Sequence, residues 1–148
     1  MRLKKREITS RDKIDEFIME CSVVRLGMIS RGEPYVVPLN FVYVDDTVYF
    51  HCASQGRKAE AMKTSPGVCI EFDVMHGVSA EQQTAYYTSV IAWGKAVFVS
   101  DKHAVKNILN LLCLKYLDSS PVITDEMADR TSIIAIRIDK VTGKERTG

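Results

Sequence analysis

Apolar positions along this chain follow two rhythms. After Ser10, placed as an N-cap, Ile14, Phe17, Ile18 and Cys21 recur three and four apart, which predicts an amphipathic helix over residues 11–21. Asp101 opens a second helix, with Val105, Ile108, Leu109, Leu112 and Tyr116 on one face and Ser119-Ser120-Pro121 closing it. Most of the remaining chain reads as strands. Residues 23–30 form the first, followed by a turn at Arg31-Gly32-Glu33-Pro34, and residues 35–44 form a long second one. Pro38 inside that run calls for an edge position or a bulge. Asp45-Asp46 makes a hairpin turn into a third strand, residues 47–52. A short helix over 56–63 ends near Pro66-Gly67, and residues 68–74 form a fourth strand. Residues 75–84 lack periodicity, contain Gly77 and Ser79, and read as a loop. Residues 85–100 are a long strand, broken or bulged near Gly94. Residues 131–138 are the last, with Ile134, Ile136 and Ile138 alternating against Arg137 and Asp139.

Six strands, mostly joined by hairpins, with helices inserted, predict a mainly β fold. The strands are too amphipathic for a parallel sheet buried on both faces. A closed or nearly closed antiparallel barrel with peripheral helices fits, because closure removes exposed edges. With no linker or repeat, the 148 residues make one domain, long enough to bury a core without disulfides.

A net charge of +1 gives no basis for a nucleic-acid partner, and Arg2, Lys4, Lys5 and Arg6 read as a solvated basic arm. Cys21, Cys52, Cys69 and Cys113 lie in apolar runs without a C-x-x-C pair, as small hydrophobes do in a reducing compartment. No apolar signal region follows the basic arm and no run has the length of a membrane span, so the expectation is a cytoplasmic protein with no membrane partner. His51, His76 and His103 have no metal-ligand spacing, and neither do the cysteines, so no metal is expected.

The richest chemistry lies between Tyr35 and Lys58. Gly56-Arg57-Lys58 forms a strand-to-helix corner with unpaired N–H groups and two cations, which suits a phosphate. Cations at a helix N-terminus oppose the macrodipole, and a dianionic phosphate there reverses the sign of that interaction. The apolar run before the corner is a wall on which a flat phosphorylated ligand, flavin mononucleotide (FMN), would lie.

Four segments in this order carry a family resemblance: Val36-Val37-Pro38-Leu39-Asn40-Phe41, Tyr49-Phe50-His51-Cys52-Ala53-Ser54-Gln55-Gly56-Arg57-Lys58, Ser89-Val90-Ile91-Ala92-Trp93-Gly94-Lys95-Ala96, and Ile138-Asp139-Lys140-Val141-Thr142-Gly143-Lys144. Together they resemble the FMN-binding split-barrel superfamily, which includes pyridoxamine 5'-phosphate oxidases, and most closely its 5-nitroimidazole-resistance (Nim) branch. The resemblance implies a six-stranded antiparallel split barrel and a homodimer with FMN at the subunit interface. It implies that Pro38, Leu39, Asn40 and Phe41 run along the isoalloxazine ring through backbone contacts. His51 and Cys52 begin a cofactor loop that continues through Ser54, and Arg57 and Lys58 match the phosphate-binding pair. Ser89 and Val90 fall where the family touches the flavin, Trp93 lies near it, and Lys144 sits in a Nim-like Thr-Gly-Lys ending.

The implied activity is reduction of a small aromatic or nitro compound, with a nicotinamide as electron donor. The alternatives are a haem-binding or haem-handling protein on the same fold, with His51 or His76 as axial ligand, and a non-catalytic flavin-binding module. Only Lys144 and Arg146 stand where pyridoxamine phosphate oxidases carry a longer basic segment, which argues against that substrate. Residues 75–84 also lack the aromatic and cysteine pattern of many Nim members. His51 is the candidate catalytic residue, set against a histidine bonded to backbone at a strand end. Trp93 reads as core or dimer interface before ring stacking, and Cys52 as a small residue packed beneath the cofactor.

Overall fold

One antiparallel sheet of eight strands organises the computed structural model, which describes residues 4–147. In chain order the elements are a 3-10 turn (Lys4–Arg6), β1 (Glu7–Ile8), α1 (Arg11–Glu20), β2 (Val24–Ser30), β3 (Glu33–Leu39), β4 (Val42–Val44), β5 (Thr47–Cys52), α2 (Arg57–Thr64), β6 (Gly67–Ser79), β7 (Thr84–Phe98), α3 (Lys102–Leu117), α4 (Asp125–Asp129) and β8 (Ser132–Arg146). The strand order is β3-β2-β6-β7-β8-β5-β4, with β1 paired to β8. Its two ends, β3 and β4, are joined by Asn40 and Phe41 alone. From Leu39 to Val42 the chain spans at most about 11 Å. The sheet therefore curls until its edges lie side by side. No ladder pairs those edges, and the barrel is split.

Alternate residues fill the interior. Val24 and Leu26 of β2, Val48 and Phe50 of β5, Ile70 and Phe72 of β6, Val90 and Ala92 of β7, and Ile134 and Ile136 of β8 are all fully buried. Phe41 enters this core from the split and meets Phe72 edge-on, with ring centroids 5.2 Å apart. Helix α3 lies outside the barrel, where Val105, Ile108 and Leu112 pack with Val42, Ala128 and Ile133. Helix α1 is braced to the β4–β5 hairpin through Tyr43, whose hydroxyl donates to Asp15 at 2.6 Å, and through Arg11, which pairs with Asp15 and Asp46. All four cysteines are free. No described helix is long and apolar enough to cross a membrane.

Several elements differ from the sequence reading. The run 35–44 divides at Asn40-Phe41 into β3 and β4, and Pro38 lies on an edge strand. The expected loop over 75–84 is instead strand, because β6 and β7 pair along its whole length and leave only residues 80–83 as turn. Val74, Met75 and Val78 are exposed there, so no buried face imposes a period. His76 is the extra residue of a bulge in that ladder. The last strand runs to Arg146 instead of ending at Ile138. Trp93 pairs with Lys140 and Gly94 with Ile138, so Asp139 is an extra residue that reverses which positions face inward. That phase change hides the second half of the strand from a period-two reading. β1 and α4, of two and five residues, are too short to show a period.

Candidate functional site

The corner between β5 and α2 departs from the other helix starts. Side chains of Ser10, Asp101 and Thr124 cap α1, α3 and α4, whereas α2 begins at Gly56 with no side-chain cap. Gly56 has φ 114°, a conformation side chains rarely adopt. The first N–H groups of α2 are therefore available to an outside acceptor. Lys63 Nζ donates to the Ser54 carbonyl at 3.3 Å and secures the loop, in which Ser54 is exposed. Arg57 is exposed yet held: its Nε donates to Ser30 Oγ at 3.0 Å, and its guanidinium lies 4.1 Å over the Tyr35 ring. Lys58 is half-buried, with Nζ 5.9 Å from the Phe50 ring. Cys52 is buried, and burial pushes its thiol pKa up against the pull of Lys58 and Lys63, so it packs as an inert group.

Register builds the second part. One row across the outer face reads Val36, Gly27, Cys69, Trp93 and Lys140, and the next reads Pro38, Arg25, Glu71, Ile91 and Thr142. Asp73, Ser89 and Lys144 follow. Pro38, Ser89, Trp93 and Lys144, spread over more than 100 residues of chain, thus share one face. Gly27 has no side chain to fill the row, and a Cβ there would meet the Cys69 carbonyl oxygen at 3.3 Å. The result is a groove of about 500 Å³ bordered by Tyr35, Val36, Cys69, Trp93 and Lys95. Tyr35 pairs with Met28, so its ring lies on the core side of β3, under Arg57, while its neighbour Val36 faces the groove.

Charge is divided across this face. Arg25 bridges Glu71 and Asp73, and burial, with the repulsion of Asp73, raises the Glu71 carboxyl pKa. On the other side Lys140 Nζ lies 5.0 Å over Trp93 and Lys144 Nζ 5.5 Å over Tyr87. A hydrogen bond from Lys144 lowers the Tyr87 pKa.

The other predicted residues lie elsewhere. Val90 and Phe41 point into the core, and Leu39 is half-buried. Asn40 and His51 are exposed and line a separate pocket of about 330 Å³ under the end of α3, with Leu112, Cys113, Tyr116 and Leu117. His76 lies 2.9 Å from Thr88 Oγ1 and His103 is exposed on the first turn of α3. Sequence reasoning missed two tyrosines. Tyr35 gave no signal beyond its strand. Tyr116 counted only as an apolar helical position, although a buried tyrosine hydroxyl generally needs a partner. Its Oη accepts from the Phe41 N–H at 2.9 Å and lies 3.0 Å from the Phe41 carbonyl and 2.9 Å from that of Ser22.

A split antiparallel barrel of this build is the flavin-binding type of fold. The pyridoxamine 5'-phosphate oxidase family model matches residues 10–145, and the chain belongs to that family. Its fold is similar to that of a candidate 5-nitroimidazole antibiotic resistance protein from Bacteroides thetaiotaomicron, at 26% identity and TM-score 0.87, over 94% of this chain and 86% of that one. It is also similar to a flavocytochrome from Azotobacter vinelandii, at 22% identity and TM-score 0.85, over 100% and 72% of the two chains. An FAD-binding protein from Mesorhizobium loti aligns at 25% identity and TM-score 0.75, over 96% and 98%. Among curated proteins, none matches the chain.

Proposed function

We propose that this protein binds FMN and acts as an oxidoreductase on a small aromatic or nitro compound, with a nicotinamide as electron donor. The observation that carries the reading is the α2 corner. It combines a helix start without a side-chain cap, a glycine at φ 114°, and an arginine oriented by Ser30 and Tyr35. Backbone N–H groups there, with Ser54, Arg57 and Lys58, would hold the phosphate. The groove beside Val36 and Trp93 offers the ring a wall, and Pro38, Ser89 and Lys144 lie on the same face. When bound, the flavin supplies the electron transfer. The chain's own residues bind it and orient it.

Val36 and Ile91 on the open face are 61% and 37% exposed, and a second copy of the chain, with flavin at the boundary, would cover them. His51, exposed beside Asn40, is the candidate proton donor to substrate. The compound class is supported by the nitroimidazole-resistance neighbour, and flavin by the FAD-binding one.

The test is the visible spectrum of the purified protein, with acid release of its chromophore. Flavin bands with FMN in the supernatant are the expected result. A Soret band would move the assignment to haem, and a colourless protein that refuses added FMN would overturn the proposal.

A further inference from the structure

We propose that the outer face of β8, from Lys140 to Arg146, binds the nucleoside diphosphate part of a dinucleotide. The inference goes beyond the flavin reading above and stands on the geometry of this strip. Residues 140, 142, 144 and 146 alternate onto the outer face, opposite Trp93, Ile91, Ser89 and Tyr87 of β7. Lys140, Lys144 and Arg146 make three of the four positions cationic. Among the described residues none of the three pairs with a carboxylate, whereas across the same face Arg25 bridges both Glu71 and Asp73. Glu7 lies opposite Lys144 in the β1–β8 ladder without bridging it. Like charges spaced along one strand face repel, and here no described carboxylate offsets them.

The order of groups along the strip narrows the ligand. Lys140 Nζ rests 5.0 Å over the Trp93 ring at one end, and Lys144 Nζ rests 5.5 Å over the Tyr87 ring at the other. Arg6 joins Lys144 in bonding the Tyr87 hydroxyl. Thr142 stands between the two lysines on the same face. Ring, cation, hydroxyl, cation, ring is the complement of base, phosphates, base. Trp93 and Tyr87 lie six residues apart on β7, which is about 20 Å along the strand. A pyrophosphate over Thr142 draws both ammonium groups inward as charge-assisted partners and frees the two ring faces for stacking. Trp93 also borders the 500 Å³ groove, so one ring of the ligand enters that groove and the adenosine end lies at Tyr87. Two dinucleotides share this chemistry, a nicotinamide electron donor and FAD. β8 lies beyond Ile91, at the rim of the contact a second copy would make over Val36 and Ile91.

Trp93 is the single tryptophan of the chain, so its fluorescence reports on the strip directly. ADP-ribose carries the base and both phosphates without a redox ring, and is the probe for flavin-free protein. Saturable quenching is expected, with Kd raised about tenfold in Lys140→Gln and in Lys144→Gln. Lys102→Gln removes the same charge on α3, where Lys102 pairs with Asp129, and should leave Kd within about twofold of wild type. Absent quenching, an unchanged Kd in both strip variants, or an equal loss in Lys102→Gln would overturn the inference. Titrations with NADH and with FAD separate the two sources. Weaker NADH binding in the strip variants assigns the strip to the electron donor, weaker FAD binding assigns it to the flavin, and loss of neither would overturn the inference. A protein that binds ADP-ribose yet takes up no flavin would overturn the flavin reading and leave the strip standing.

Discussion

Replacing Arg57 and Lys58 one at a time separates the fold from the phosphate. Arg57→Ala breaks the 3.0 Å bond to Ser30 Oγ, on a residue only 2% exposed, and removes a guanidinium stacked 4.1 Å over Tyr35. The hydrogen bond contributes about 1–2 kcal/mol and the stacking about 0.5–1 kcal/mol. The sum is about 2 kcal/mol, which for a domain of this size lowers the melting temperature by about 4–8 °C. Lys58, 5.9 Å from the Phe50 ring, has less to lose, and Lys58→Ala should shift stability by under about 1 kcal/mol. Toward FMN, each side chain that makes a charge-assisted bond to the phosphate contributes about 1.5–3 kcal/mol, so Kd rises about 10- to 150-fold in each variant. Riboflavin binding should stay within about twofold of wild type, since neither residue would touch it. Thermal melts and flavin fluorescence titrations with the two ligands are the assays. Wild-type FMN affinity in both variants would refute the phosphate assignment. A parallel loss of riboflavin would show that the pair acts on the wall instead.

Three further outcomes are expected. Gly94→Ala places a Cβ 2.1 Å from the Arg137 carbonyl oxygen and 2.9 Å from Ile136 Cγ2. It should cost at least about 1–3 kcal/mol in urea denaturation, and an unchanged midpoint would show that the β7–β8 approach is looser than described. Phe41→Ala should cost about 3–5 kcal/mol, because it empties the core beneath the split, and a loss below about 1 kcal/mol would contradict its burial. Burial raises the Cys21 thiol from 9.0 to about 11, and the thiols of Cys52 and Cys69 and the Tyr116 hydroxyl move in the same direction. The folded state holds these protons more tightly, so their stabilisation is complete below about pH 9 and is lost as pH climbs toward 11. Lys115, whose pKa burial lowers, works with the opposite sign. Urea midpoints should fall between pH 9 and pH 11, less steeply in Cys21→Ala, and an equal slope would remove Cys21 from the cause.

The α2 corner was legible because glycine followed by two cations at a strand-to-helix change is a local signal. The caps Ser10 and Asp101 and the edge position of Pro38 were legible for the same reason. What local patterns could not reveal was register. Pro38, Ser89, Trp93 and Lys144 share a face only because four ladders place them there, and one extra residue in β8, Asp139, shifts the second half of that strand. The β6–β7 arm escaped notice because both its faces are open. Tyr35 and Tyr116 act through a ring stacked under Arg57 and a hydroxyl bonded across 75 residues of chain, neither of which leaves a trace in spacing.

The prolines of β3 bear on how copies of this chain meet in a crowded solution. Along an edge strand every second N–H points away from the sheet and offers itself to a foreign strand. On β3 those positions are 34, 36 and 38, and two of them are proline. Only Val36 keeps an outward donor, too few to template an added strand. Runaway strand addition along this border is therefore blocked, and any second copy would have to be held by side chains on the open face instead of by the backbone of β3.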